Sequence, residues 1–121
     1  MATGIAASKA NEYLDDLAST YPFIQLHTGD PGASGTSNVA DESTRQEASF
    51  GSASNGQVAT NADLRWEGVA ATEDYTHWSG WSAAEGGTCG WSGTIAADEV
   101  QAGNNFVIES GGLTYSFNTM S

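Results

Sequence analysis

A chain of 121 residues suffices for one domain with a modest core. Three Lys plus Arg stand against fifteen Asp plus Glu, a formal charge of −12, which argues against the basic face that nucleic acids and anionic membrane surfaces demand. No apolar run approaches the roughly 20 residues of a membrane-spanning helix, and the single cysteine, Cys89, has no intrachain disulfide partner.

Met1-Ala2-Thr3-Gly4 lacks the basic and apolar regions of a secretory signal, so synthesis in a cytoplasm is expected. From Ile5 to Thr20 the apolar residues Ile5, Ala6, Ala10, Tyr13, Leu14, Leu17 and Ala18 recur at steps of three and four, which predicts an amphipathic helix ending before Pro22. Its apolar stripe needs a surface to cover, either the chain's own sheet or a neighbouring subunit. Pro22 to Thr28 reads as a strand with Ile24 and Leu26 on one face and Phe23, Gln25 and His27 on the other.

Gly29 to Ser43 is dense in turn formers and long for a connection within a compact domain. Arg45 to Phe50 is a strand or an irregular approach to one. Then come a turn at Gly51–Gly56 and two short strands at Gln57–Thr60 and Leu64–Val69. Tyr75 to Ile95 holds three of the four tryptophans and turns at Glu85-Gly86-Gly87, so it predicts a β-hairpin. Its first arm alternates His77, Ser79 and Trp81 with Trp78, Gly80 and Ser82. Its second arm sets Cys89, Trp91 and Ile95 against Thr88, Ser92 and Thr94, a polar face expected to meet solvent. A turn near Asp98-Glu99, another at Ala102–Asn105, a strand at Phe106–Glu109, a hairpin turn at Gly111-Gly112 and a strand at Leu113–Thr119 complete a meander. The expected fold is mainly β, a small antiparallel β-sandwich or barrel with one N-terminal amphipathic helix: a single domain over 1–121, with the helix in 1–20, the sandwich in 22–119 and a long loop at 29–43.

The succession of a helix, Ile24-Gln25-Leu26-His27-Thr28-Gly29-Asp30-Pro31-Gly32, Arg45-Gln46, Thr76-His77-Trp78-Ser79-Gly80-Trp81-Ser82-Ala83, Gly90-Trp91-Ser92-Gly93 and a closing Gly-Gly strand resembles small tailed-phage virion proteins variously labelled tail fibre, minor tail or capsid decoration protein. The resemblance covers nearly the whole chain, and its motifs are structural. It implies a structural virion protein. The chain is too short for a whole fibre with a long trimeric shaft, which favours a decoration subunit stabilising the outer capsid surface. The alternative is a tail-fibre or tail-tip component touching host glycan.

Chemistry is sparse. His27 and His77 could pair with Asp30, Asp74 or Ser79, but no Ser lies in a nucleophile elbow, so no catalytic residue is expected. The pairs Asp15-Asp16, Asp41-Glu42, Glu73-Asp74 and Asp98-Glu99 are adjacent and diverge on any regular element, unlike a glycosidase's facing acids. A calcium site from Asp30, Asp41 and Glu42 matches no EF-hand spacing; no metal or cofactor is expected. Trp78, Trp81 and Trp91 would serve a sugar platform only if coplanar and exposed. Trp78 and Trp81, three apart, point to opposite faces of a regular strand, so this set reads as a core hairpin. The expected interface is Tyr13, Leu14 and Leu17 on the helix with Asp30, Pro31, Val39 and Asp41 in the loop. Its expected partners are a major capsid protein and copies of the chain itself, with no nucleic acid or membrane, and with glycan only in the tail reading.

Overall fold

In a computed structural model, residues 4–95 and 99–116 are described. The chain is mainly β with one N-terminal helix, and every strand pairing is antiparallel; no closed barrel forms among the described residues. The helix α1 spans Ala7–Thr20. It begins two residues later than the periodicity predicts, because no side chain caps it and Ile5 is already in a β-bridge. It stops where expected: Tyr21 N–H closes the last turn on Leu17 O, and Pro22 follows.

The strands are β1 (Phe23–His27), β2 (Gln46–Glu47), β3 (Gln57–Ala59), β4 (Leu64–Trp66), β5 (Glu73–Asp74), β6 (His77–Trp81), β7 (Cys89–Thr94), β8 (Glu99–Val100), β9 (Phe106–Ile108) and β10 (Thr114–Ser116). A four-stranded sheet runs β2-β1-β6-β7, and three two-stranded ribbons pair β3 with β10, β4 with β9 and β5 with β8. These ribbons are nested and keep nearly one register, so residues from Gln57 to Ser116 form a single interrupted hairpin. Its tip is the tryptophan hairpin β6–β7, to which β1 adds along the other edge of β6.

This corrects several expectations. The connections do not form a meander: Gly111-Gly112 joins two different ribbons and is not a hairpin turn. Glu99 opens a strand opposite Asp74, while Asp98 and Phe117–Thr119 lie outside the described residues. On β7 a bulge displaces the register at Gly80/Trp81, so Cys89 pairs with Trp81 and Trp91 with Gly80. Cys89 and Trp91 therefore belong to opposite faces, against the simple alternation predicted for that arm.

The core lies on one face of the four-stranded sheet. Ile24, Leu26, Trp78 and Trp91 point into it and meet Leu14 from the helix and Val58, Leu64, Trp66, Tyr75, Ile108 and Leu113 from the ribbons. Trp78 and Trp91 meet edge to face at 5.2 Å, and Tyr115 and Phe50 close on Trp91 at 5.4 and 5.3 Å. The helix is fastened by its polar side as well: Asn11 Oδ1 accepts from Gly56 N–H and Asp15 Oδ1 from Ala53 N–H, both at 2.9 Å. These bonds hold the Asn55-Gly56 turn, whose two residues have φ of 54° and 74°, the left-handed pair that a two-residue hairpin requires.

Candidate functional site

The second face of the four-stranded sheet carries Gln25, His27, Ser79 and Trp81, and the polar loop folds over it. Thr28 N–H donates to Asn38 O and Ala40 N–H to Leu26 O, so the loop leaves and rejoins the end of β1. Asp30 Oδ1 caps Gly32 N–H at 2.8 Å, and Asn38 Nδ2 donates to Asp30 O at 2.9 Å. Pro31 and Gly35 are thereby pressed inward. A Cβ on Gly35, whose φ is +75°, would stand 2.5 Å from Cys89 Sγ, so only glycine allows this approach.

Beneath the loop runs a closed polar relay. His27 has no exposed surface, and its Nδ1 lies 2.8 Å from Ser37 O. A carbonyl only accepts, so Nδ1 carries the proton and Nε2 accepts from Ser79 Oγ–H at 2.7 Å. Ser79 Oγ in turn accepts from Trp81 Nε1–H at 2.7 Å. Burial holds the His27 imidazole below its usual basicity, outweighing the carbonyl contacts that favour the charged form. The Ser79–His27 pair has a nucleophile's distances, but both residues have no exposed surface and the third member is a carbonyl, so this geometry admits no substrate. Its chemistry is to tie β1, β6 and the loop together.

At the open end of this face Arg45 covers Trp81. Its Cζ sits 4.0 Å from the ring centroid, and Nη1 donates to Ala83 O at 2.9 Å and Gly86 O at 2.7 Å. The guanidinium so fixes the turn after β6 and leaves an open groove of about 410 Å³ lined by Gln25, Ser43, Thr44, Arg45 and Glu85 among others. The sequence pattern did not single out Arg45 or Gln25 as site residues. The available signal was that Arg45 is one of only three Lys and Arg in the chain.

The expected interface set is divided by the structure. Leu14 and Pro31 are buried within the chain and Leu17 packs against its core, so the helix stripe covers its own domain. That corrects the expectation that Leu14 and Pro31 meet a neighbour. Tyr13 at 53% and Val39 at 38% are the exposed large hydrophobics among the described residues, and Asp30 and Asp41 are exposed beside the loop. Trp78, Trp81 and Trp91 are all at least nine-tenths buried, which removes a tryptophan platform for sugar. Glu73 turns back to the loop, accepting from Asp41 N–H at 3.0 Å and Glu42 N–H at 3.3 Å. Burial, with Glu73, Glu42 and Asp41 nearby, pushes the Tyr75 hydroxyl up to about 12. Among the described residues no three His, Cys, Asp or Glu converge as metal ligands, and no helix is long and apolar enough to cross a membrane.

The family model described as podophage GP4 fiber I protein gp80 matches residues 2–116. Comparison with curated proteins finds no match.

Proposed function

The chain belongs to the podophage GP4 fiber I protein gp80 family and is a structural virion protein of a tailed phage; from that premise we propose that it is a component of a tail fibre, acting by assembly and without turnover. The observation that carries this reading is the extent of the family match, which takes in the helix, the four-stranded sheet and the nested ribbons together. The decoration reading rests on the chain's shortness for a whole fibre and on a helix stripe and a long loop that could sit on a capsid lattice. Leu14 is instead spent on the chain's own core, and the loop is spent on covering its own sheet.

In the fibre reading the domain is a rigid unit whose tryptophans supply stiffness from within, and its partners are copies of itself and adjoining tail proteins. The residues left to meet them are Tyr13, Val39, Asp30 and Asp41. Gold-labelled antibody against this chain, imaged on intact virions, should decorate the tail or its fibres. Label spread over the capsid shell would overturn the proposal and restore decoration. The purified chain is expected to show no hydrolysis of esters, peptides or glycosides.

A further inference from the structure

We infer that Asn55-Gly56 is a self-modification site, where the asparagine converts to aspartate and isoaspartate by reaction with water, and that Asn11 of the helix sets the rate. This goes beyond the fibre reading and does not rest on it.

The chemistry starts at the backbone nitrogen that follows an asparagine. That nitrogen attacks the side-chain Cγ, the bond from Cγ to the side-chain nitrogen breaks, and ammonia leaves with the proton of the attacking N–H. The cyclic succinimide so formed takes up one water. Opening at one carbonyl gives aspartate; opening at the other gives isoaspartate, whose main chain runs through the side chain and is one methylene longer. Of the seven asparagines only Asn55 is followed by glycine, which has no Cβ to obstruct the attack. Asn38 shares the left-handed backbone, with φ of 52° against 54° for Asn55, but precedes Val39, whose branched side chain stands in the way. Asn55 is also exposed at its turn, so water reaches its side chain.

The attacking atom, in contrast, is held. Gly56 is buried, and its N–H donates to Asn11 Oδ1 at 2.9 Å across 45 positions of sequence. A donor bonded in its neutral form gives up its proton less readily, so this bond slows the first step. Ser54 and Gln57 exchange both backbone bonds around the turn, at 2.9 and 3.0 Å, which keeps Asn55 and Gly56 from rotating toward each other. Asn11 is delivered to Gly56 by packing, since its neighbours Ala10 and Leu14 have no exposed surface. The helix therefore protects the site for as long as it stays docked.

Conversion undoes the protection. An extra methylene in a two-residue turn cannot be accommodated while both Ser54–Gln57 bonds stay closed, so the isoaspartyl form moves Gly56 N–H off Asn11. The helix then keeps one of its two polar fastenings, the bond from Ala53 N–H to Asp15 Oδ1. A new carboxylate is added beside it, in a chain whose charge is already −12. The change is irreversible and accumulates with the age of the chain.

The test is timed incubation of the full chain in mildly alkaline buffer, with peptide mass mapping to locate the gain that marks loss of ammonia and uptake of water. Conversion is expected first at Asn55. Asn11→Ala should speed it about tenfold, the weight of one hydrogen bond, and should speed hydrogen exchange at the Gly56 amide by the same factor. Asn11→Asp, which keeps an oxygen at the same place, should stay as slow as the native chain. Should Asn11→Ala not fold, the native chain compared with the chain unfolded in guanidinium decides alone, with the unfolded chain expected to convert at least about tenfold faster. The separated isoaspartyl form should melt about 4 °C lower, one hydrogen bond in a chain of this size. A folded Asn11→Ala that converts at the native rate, first conversion at another asparagine, or native and unfolded chains converting equally fast would each overturn the inference.

Discussion

Ser79 and His27 are separated by 52 positions and yet share a 2.7 Å hydrogen bond, and neither has exposed surface. Ser79 Oγ is the shared member, donating to His27 Nε2 and accepting from Trp81 Nε1–H, so removing it strands both neighbours. Ser79→Ala leaves His27 Nε2 and Trp81 Nε1 buried without partners and should cost about 1–3 kcal/mol in urea denaturation. The relay also makes stability depend on pH. An unfolded His27 takes up its proton near pH 6.5, whereas burial keeps the folded imidazole neutral to lower pH. On acidification through that window the unfolded chain binds more protons, so the stability contributed by neutral His27 is present above about pH 6.5 and is lost below it. Melting curves between about pH 7.5 and 5 should therefore fall more steeply for the native chain than for His27→Gln, although the variant starts lower. Parallel curves would show that the relay does not govern this window.

At the level of elements, the helix separates two architectures that leave different traces. A helix seated on a neighbour would make the isolated chain indifferent to its apolar stripe. Leu14 is instead fully buried against the chain's own ribbons, so Leu14→Ala should lower the stability of the purified chain by about 2–5 kcal/mol. A change under about 0.5 kcal/mol would return the helix to a partner. The helix, the facing of β1 and the tryptophan hairpin were all legible, because each is a local periodicity in which Ile24 and Leu26, or Trp78 and Gly80, fall two apart. The pairing of β3 with β10 and β5 with β8 was not, since alternation marks a strand but not its partner many residues away. Parity fails at Cys89 because the β7 bulge adds a residue, and the covering role of the loop is not legible because Pro31 and Gly35, residues of turns, do what apolar side chains usually do. The Arg45 groove escaped notice for a related reason: its members come from β1, the loop end and the hairpin turn, and no local pattern joins them.

For the whole molecule, the decisive imbalance is charge. Lys9 is paired with Glu12 at 2.7 Å and Arg65 with Glu67 at 3.9 Å, both exposed, and Arg45 faces backbone carbonyls and an indole. Fifteen acidic residues against three basic ones therefore repel one another across one compact body. Added salt weakens the two exposed pairs, which contribute little, and screens the many repulsive contacts, which act over distances comparable to the Debye length of about 30 Å at 0.01 M and about 10 Å at 0.1 M. The repulsive sum outweighs the pairs, so raising sodium chloride from about 10 mM to about 300 mM should raise the melting temperature. For a chain of this size each kcal/mol gained corresponds to about 4 °C. A fall in melting temperature would mean that the surface pairs outweigh the repulsion. The same sum acts between copies: two chains of charge −12 approach one another more readily as salt rises, so self-association measured by sedimentation should strengthen over the same range. Association that weakens with salt would instead require a contact built on opposite charges between copies, through one of the three cations Lys9, Arg45 and Arg65.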